Sequence, residues 1–343
     1  MSVIVDRLRD NHRLSADEYR SLLEGEDQDP ELQAEALKAS TREFGKSIFV
    51  RGLIEISNHC RNNCYYCGIR AGNASVRRYR LSSGEILECC RSGYARGFRT
   101  FVLQGGEDPA LSDEWLTDLI REIKTVYSGC AVTLSLGERP AESYAMLRKA
   151  GADRYLLRHE TRNPDHYRQL HPSSMSLENR LECLGILKGL GYQTGSGMMV
   201  GSPYQTTSNL VEDLMYLQEL KPEMVGVGPF IHHAGTPLGN HRDGSVGMTL
   251  KLISILRLMN PRALIPATTA LATLDPDGRK KGILAGANVV MPNLTPSVRR
   301  GEYEIYEGKA STGAESAEGL EELKQELKSI GYGISVSRGD YMN

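Results

Sequence analysis

The chain has 343 residues, of which 24% are charged and 40% hydrophobic, an ordinary composition for a globular protein. With 41 Lys and Arg against 43 Asp and Glu, its formal charge of −2 gives no sign of a nucleic-acid or membrane partner. Seven cysteines, an odd number, argue against a disulfide framework and for a reducing compartment. Residues 1–10 do not resemble a signal peptide, and no apolar run has the length of a membrane span. We therefore expect a soluble cytoplasmic protein.

The first 46 residues are predicted to form a helical extension. Ser15 is followed three residues later by Glu18, the pattern of a capping box, and a second helix is expected over Pro30–Phe44. No residue type in this extension points to chemistry. We expect it to be structural.

From Arg51 onwards, strand-like and helix-like segments alternate. Eight short apolar segments are each followed by a helical or a closing segment. This is the number and order of elements expected in a (β/α)8 barrel. The predicted strands are 53–56, 100–103, 131–136, 154–157, 194–200, 224–227, 263–266 and 288–291. We therefore predict an α/β protein with a complete (β/α)8 TIM barrel over residues 47–300, preceded by the N-terminal helices and followed by a C-terminal extension, 301–343, that closes the barrel.

Three cysteines, Cys60, Cys64 and Cys67, follow the first predicted strand with the spacing C-x3-C-x2-C. Thiolates at this spacing share one loop and can hold a small inorganic cluster. A structural zinc ion takes four protein ligands, and an iron–sulfur cubane usually takes four cysteines. Three together therefore favour a 4Fe-4S cluster with one open iron, to which the amino and carboxylate groups of S-adenosylmethionine (SAM) can bind. The alternative is a zinc knuckle completed by His59 or by a distant cysteine.

Gly105, Gly106 and Glu107 follow the second predicted strand, at the end where such barrels carry their chemistry. Glycines at a strand end let a ligand approach the backbone, and the exposed peptide groups can bind the methionine moiety of SAM. The alternative is an ordinary turn.

Charged side chains follow the fourth predicted strand. A carboxylate such as Glu160 can accept both ribose hydroxyls of a nucleoside, and Arg158 can bind a carboxylate in bidentate fashion. Arg180, on the next predicted helix, is within plausible reach of the SAM carboxylate. The alternative for these charges is a surface salt bridge, which contributes little. We expect His159, between Arg158 and Glu160, to be structural.

Two further segments suggest ligand contacts. The glycine-rich residues 195–201 lack the Lys-Ser/Thr of a phosphate-binding loop, so close approach to a flat adenine is the better interpretation, with core packing as the rival. Thr268 and Thr269 place hydroxyls at a barrel mouth, and Tyr303 and Tyr306 follow the last strand. Together with Arg158, these hydroxyls are candidates to bind a small anionic substrate inside the barrel.

The cysteine spacing resembles that of the radical SAM superfamily, and longer segments resemble one family within it. The strings at 51–69, 103–109, 133–138, 154–161, 226–230, 265–270 and 291–293 are similar to those of the HydE family, the radical SAM maturases of FeFe hydrogenase. The similarity covers roughly residues 45–310 without a large gap. These strings are far more specific than the cysteine triplet alone.

The resemblance implies a role for each matching position. Cys60, Cys64 and Cys67 would ligate one 4Fe-4S cluster. The residues implied to contact SAM, with Tyr66 beside the adenine, are Tyr66, Ser135, Glu160, Arg180 and Met291, in addition to Gly105, Gly106 and Glu107. The residues implied to line the substrate cavity are Arg158, Thr268, Thr269, Tyr303 and Tyr306.

The resemblance also implies the reaction. The enzyme would cleave SAM reductively to methionine and a 5′-deoxyadenosyl radical. The radical would act on a cysteine-bound iron carbonyl cyanide precursor during assembly of the diiron centre of the hydrogenase H-cluster. An electron donor and the maturases HydG and HydF are the implied partners.

The sequence departs from the family in one respect. Some members carry extra cysteines near the C-terminus for an accessory cluster, but the last cysteine here is Cys183. We therefore predict a single cluster. Three readings remain open beside the HydE one: a methylornithine synthase-like sibling, a biotin synthase-like sibling, and a non-enzymatic scaffold module stabilised by zinc.

Overall fold

The computed structural model describes residues 2–25 and 29–342. Its strands are β1 (Ser47–Val50), β2 (Gly52–Ser57), β3 (Thr100–Gly105), β4 (Ala131–Ser135), β5 (Arg154–Leu156), β6 (Gln193–Ser196), β7 (Met199–Val200), β8 (Met224–Val225), β9 (Gly228–Pro229), β10 (Val289–Val290) and β11 (Gly333–Ser335).

Helices separate most of these strands. They are α1 (Ser2–Asn11), α2 (Ala16–Glu24), α3 (Pro30–Phe44), α4 (Ser83–Ala95), α5 (Asp113–Val126), α6 (Ala141–Ala150), α7 (Pro164–Leu170), α8 (Leu177–Gly189), α9 (Thr207–Leu220), α10 (Val246–Met259), α11 (Thr269–Leu274), α12 (Gly278–Leu284), α13 (Ser297–Arg300) and α14 (Leu320–Ser329). Within the described ranges, no helix combines the length and apolarity needed to cross a bilayer.

The strands close into a parallel barrel. Strands β2, β3, β4, β5, β6 and β8 form one sheet in that order. Parallel bridges then lead from Met224 to Leu264, from Pro266 to Val289, and from Asn293 back to Leu53. The seventh strand position is thus reduced to isolated bridges, but the circuit of eight positions is complete. The predicted (β/α)8 fold is confirmed.

The fifth predicted strand differs from its prediction. Residues 194–200 were expected as one strand, but they form β6 and β7 with a break at Gly197, whose φ is +151°. A Cβ at Gly197 would lie 1.9 Å from the carbonyl oxygen of Gly226, so only glycine fits. After this break β7 pairs with β9 instead of continuing the barrel wall.

The N-terminal helices cover the outside of the barrel. The predicted capping box at Ser15 and Glu18 is present and begins α2, which buries Tyr19, Leu22 and Leu23. Helix α2 packs on α9, and α3 packs on α10. These helices bury apolar faces far from the cysteine loop.

The C-terminal residues cover the base of the barrel, where the strands begin. Strand β11 pairs in parallel with β1. Beyond it, Asp340 accepts a hydrogen bond of 2.6 Å from the fully buried Arg154, and the carbonyl oxygen of Gly339 accepts one of 3.1 Å from the same guanidinium. Because this end is closed, ligands must reach the interior from the other end, where the strands finish.

Candidate functional site

The cysteine loop, residues 58–69, begins where β2 ends, at the open end of the barrel. Its backbone is tied to three other parts of the chain. The bonds run from Arg61 N to Glu107 O (2.8 Å), from Tyr65 N to Leu170 O (2.9 Å) and from Gly68 N to Ile305 O (2.9 Å). The loop is therefore positioned by the end of β3, by α7 and by the segment after α13.

The three cysteines of the loop are all reduced and partly exposed. Burial raises the pKa of the Cys60 and Cys64 thiols, and it raises that of Cys67 to about 12. The thiols are therefore neutral at physiological pH until a metal centre binds. Only thiolates ligate metals, so binding must release protons.

The zinc alternative requires a fourth ligand beside the three loop cysteines. Burial lowers the pKa of His59, and the charges of Arg80 and Asp108 also act on it. The other cysteines, Cys89, Cys90, Cys130 and Cys183, are buried elsewhere. Over residues 2–25 and 29–342, no three His, Cys, Asp or Glu side chains, the loop cysteines included, are gathered so that they could hold a single metal ion. This finding applies equally to zinc and to a cluster.

Gly106 lies directly beneath the cysteine loop. A Cβ at this position would lie 2.3 Å from the carbonyl oxygen of His59 and 2.6 Å from the Cβ of Cys60. A side chain would therefore push the loop away from β3. Glu107 follows and accepts hydrogen bonds from Arg61 Nε (3.1 Å) and from the backbone N–H of Glu138 (2.8 Å). Gly106 thus allows the cysteine loop to lie close to the end of β3. Glu107 joins the ends of β3 and β4.

Arg180 is held by a residue that the sequence analysis did not single out. Its Nε donates to Glu138 Oε1, and its Nη1 donates to the carbonyl oxygen of Arg158 (2.8 Å). Both side chains are largely buried, 8% exposed for Arg180 and 13% for Glu138. Position at a strand end was the only sequence signal for Glu138. A guanidinium has five N–H groups, so Arg180 retains donors for a ligand.

Glu160 occupies strained backbone above β5. Its φ is +66°, in the left-handed region that side chains other than glycine rarely adopt. Its carboxylate lies 2.9 Å from Arg158 Nη2, but the N–H is not directed into it. Consequently Glu160 Oε2 and Arg158 Nε and Nη2 are buried without a hydrogen bond from any described residue. Such unsatisfied groups at a strained position indicate a ligand site.

His159, between these two residues, is structural as expected. It is fully buried, with Nδ1 2.9 Å from Ser196 Oγ and Nε2 3.2 Å from Asp213 Oδ1. It faces the helix layer, while its neighbours remain at the barrel mouth.

Tyr66 is held by an aromatic group at the end of α7. Its hydroxyl lies 3.2 Å from His171 Nε2, and His171 Nδ1 lies 3.1 Å from the carbonyl oxygen of Tyr167. Because that carbonyl can only accept, Nδ1 carries the proton and Tyr66 donates to Nε2. Burial and then the charge of Arg180 lower the pKa of His171 to about 3, so its ring is neutral. The stacked Tyr167 has a buried hydroxyl with no described partner.

Ser135 and Met291 lie in different layers of the barrel. Ser135 ends β4, beside Gln104 of β3, and is partly exposed. Met291 packs on the interior apolar layer of Met224, Leu264 and Val289. No contact described here joins Met291 to the cysteine loop.

The predicted substrate residues Thr268, Thr269, Tyr303 and Tyr306 have different surroundings. Thr268 has a buried hydroxyl without a described hydrogen-bond partner. A Cβ added at Gly228 would lie 2.9 Å from this hydroxyl oxygen. Thr269, the first residue of α11, instead donates to Glu315 Oε2 (2.8 Å). Tyr303 is 2% exposed and accepts a hydrogen bond from Gln104 (3.4 Å). Burial raises the pKa of Tyr306. Thr268 is thus open to a ligand, whereas Thr269 is occupied.

A buried ion pair inside the barrel was also missed. Lys309 Nζ lies 2.5 Å from Glu55 Oε1, with the side chains 7% and 0% exposed. The two residues are 254 positions apart in the sequence, so no local pattern could pair them.

The donor groups fit the two cofactors that the sequence suggests. Three thiols on one partly exposed loop, without a fourth, suit a 4Fe-4S cluster with one open iron. Glu160 Oε2 has no hydrogen bond from a described residue, and the Arg180 guanidinium has five N–H groups of which two hydrogen bonds are described. These groups suit a ligand that carries hydroxyl and carboxylate groups. SAM has both.

Comparisons with known proteins agree with this site. The Radical SAM superfamily model matches residues 54–217. The FeFe hydrogenase maturase subunit HydE of Thermotoga maritima is 51% identical over 265 residues, which is 77% of this chain and 75% of that protein. The 3-methylornithine synthase of Methanosarcina barkeri is 30% identical over 329 residues, 95% of this chain and 89% of that protein.

A solved structure extends the likeness to the whole fold. The crystal structure of methylornithine synthase (PylB) superposes with a TM-score of 0.83 at 27% identity and covers 97% of both chains. The chain therefore belongs to the radical SAM superfamily of enzymes and, within it, to the family of the FeFe hydrogenase maturase subunit HydE.

Proposed function

We propose that this protein cleaves SAM reductively and acts on a cysteine-bound iron carbonyl cyanide precursor of the hydrogenase diiron centre. The observation that carries the proposal is the 51% identity to HydE of Thermotoga maritima over 77% of the chain. HydG, HydF and an electron donor are the proposed partners. The proposed compartment is the cytoplasm.

Each residue has a separate task in this proposal. Cys60, Cys64 and Cys67 hold one 4Fe-4S cluster. Glu160 accepts hydrogen bonds from ribose hydroxyls, and Arg180 donates to the SAM carboxylate. When bound, the cluster and SAM supply an electron and a 5′-deoxyadenosyl radical.

The remaining proposed SAM contacts surround these groups. Tyr66 lies beside the adenine, its ring fixed by the hydrogen bond to His171. Gly105, Gly106 and Glu107 present backbone to the methionine moiety. Ser135 and Met291 complete this set of contacts.

The chain orients the substrate at the barrel mouth. Arg158 and Thr268 have polar atoms without partners and would bind an anionic group. Thr269, Tyr303 and Tyr306 would line the same cavity. The barrel walls keep water from a reactive radical, which is the contribution that the protein makes beyond positioning.

A second candidate function is supported by the share of the chain that an alignment covers. The 3-methylornithine synthase of Methanosarcina barkeri aligns with 95% of the chain, more than the 77% covered by HydE, although at lower identity. An amino acid with an amine side chain is the substrate class that this name suggests.

The test is reductive SAM cleavage after anaerobic reconstitution with iron and sulfide. We expect the synthetic cysteine-bound iron carbonyl cyanide complex to stimulate 5′-deoxyadenosine formation, and L-lysine not to. Cys64→Ala should abolish the product, whereas the matched control Cys89→Ala, which removes a buried cysteine from α4, should retain it. Stimulation by L-lysine alone would favour the second candidate. No cleavage by a cluster-loaded protein with either compound would reject both.

A further inference from the structure

The Glu55–Lys309 ion pair is held on the inner wall of the barrel. Glu55 belongs to β2, and Lys309 comes from the segment after α13. One carboxylate oxygen of Glu55 meets the ammonium at 2.5 Å, and the other accepts a hydrogen bond of 2.9 Å from Asn293 Nδ2. The carboxylate is therefore fully engaged, with the lysine as its only described cationic partner.

This pair faces the cavity assigned to the substrate. The Lys309 ammonium lies 5.5 Å from the centre of the Tyr303 ring. Burial raises the pKa of Tyr306, while the charge of Glu55 raises it further and that of Arg158 lowers it. Tyr303 and Tyr306 are both assigned to that cavity, and the ring contact places the Lys309 ammonium beside Tyr303.

The charges decide what this space attracts. With Lys309 paired to Glu55, and Arg158 lying 2.9 Å from the carboxylate of Glu160, these four side chains carry no net charge. Without Lys309, the Glu55 carboxylate would be uncompensated, so it would repel anions and attract an ammonium group. Replacing a whole buried ion pair by apolar residues is often neutral for stability, so burial of this pair is weak evidence for a stabilising role.

We propose that Lys309 determines specificity by occupying Glu55, so that the barrel accepts an anionic substrate and rejects amino acids with a cationic side chain. This inference rests on the proposed function. Cyanide and the thiolate and carboxylate of cysteine are anions, which an uncompensated Glu55 would repel. The side-chain ammonium of ornithine or lysine would have to displace Lys309 from Glu55 in order to bind.

Three variants test the inference by the sign of their effects. Lys309→Met exposes the Glu55 charge and should weaken binding of the iron carbonyl cyanide complex at least about tenfold, measured as the KM for stimulated 5′-deoxyadenosine formation. It should also create measurable binding of L-ornithine. Glu55→Gln/Lys309→Met removes both charges, so it should recover most of the affinity for the complex and lose that for ornithine. Glu55→Gln alone should bind the complex at least as tightly as the wild type.

If the Glu55–Lys309 pair served only to tether β2 to the C-terminal segment, the results would be different. All three variants break the tether, so all three would lose activity together, in parallel with their unfolding midpoints in urea. That result, or an unchanged KM in Lys309→Met, would overturn the inference. If the wild type cleaves SAM but does not respond to the complex at all, the proposed function fails first. The ornithine measurement on Lys309→Met still tests the charge argument in that case.

Discussion

Glu138 stabilises the only arginine that the cofactor site buries among the residues described. Its carboxylate pairs with Arg180 at positions that are 13% and 8% exposed. Removing one partner of a buried pair leaves an uncompensated charge, which costs more than the pair contributes. We predict that Glu138→Gln lowers the free energy of unfolding by about 3 kcal/mol in urea titrations.

The matched control for this variant is Glu142→Gln, the same substitution at an exposed position of α6. It should change the free energy of unfolding by less than about 0.5 kcal/mol. Equal effects of the two substitutions would contradict the buried-pair argument.

His171 gives the fold a dependence on pH. Its pKa is lowered to about 3, first by burial and then by the charge of Arg180, whereas an unfolded imidazole titrates near about 6.5. Between these values the unfolded state binds the extra proton, so stability falls as the pH falls. From about pH 7 to about pH 5 this residue should remove about 2 kcal/mol from the free energy of unfolding.

The His171→Gln variant isolates that contribution. Urea titrations at several pH values should show a shallower pH dependence for the variant than for the wild type. The two curves would run parallel if the imidazole were already protonated in the folded protein.

At the scale of elements, the C-terminal residues act as the base of the barrel. Asp340 lies 2.6 Å from the guanidinium of Arg154, which is fully buried. Asp340 is 35% exposed and is shared with Arg338, so the effect of removing it is smaller than for a fully buried pair. We predict that Asp340→Asn lowers the free energy of unfolding by about 2 kcal/mol, measured in urea.

Two further variants separate the pair from a general surface effect. Asp340→Asn/Arg154→Met removes the stranded charge and should be more stable than Asp340→Asn alone. Glu321→Gln, which removes a 77% exposed carboxylate from α14, should have almost no effect. Additive losses in the double variant would refute a specific link between the tail and β5.

Most elements could be predicted from the sequence because their signals are local. The capping box at Ser15 begins α2, the predicted strand at 100–103 lies within Thr100–Gly105, and the predicted helix Pro30–Phe44 has the observed bounds. The alternation of strands and helices was sufficient for the barrel. The cysteine loop was equally visible, since its ligands lie within eight residues.

The other features of the fold depend on contacts between residues that are distant in the sequence. The backbone break at residue 197 requires glycine because the carbonyl oxygen of Gly226, which is distant in the chain, leaves no room for a Cβ. The seventh strand is reduced to bridges at Leu264 and Pro266. Glu55 finds Lys309 across 254 positions. Each of these features is set by packing of the closed barrel, which local propensity does not encode.

At the scale of the molecule, the cysteine loop is the point where separate parts of the barrel mouth meet. Its backbone N–H groups bond to the end of β3, to α7 and to the segment after α13, at Glu107, Leu170 and Ile305. That last segment also carries Tyr306 and Lys309. Order in the loop is therefore coupled to the residues that we propose line the substrate cavity.

Cluster loading should therefore protect more than the loop from hydrogen exchange. Fixing the three thiolates restrains the backbone between them, and each restrained N–H holds a carbonyl on another element. We predict slower exchange in the cluster-loaded protein over residues 58–70, 164–175 and 302–309, measured by mass spectrometry under anaerobic conditions. Cys64→Ala treated with iron and sulfide should exchange like the cluster-free protein, and Cys89→Ala like the loaded wild type. Protection confined to residues 58–70 would mean that the loop binds its cluster without organising the cavity around it.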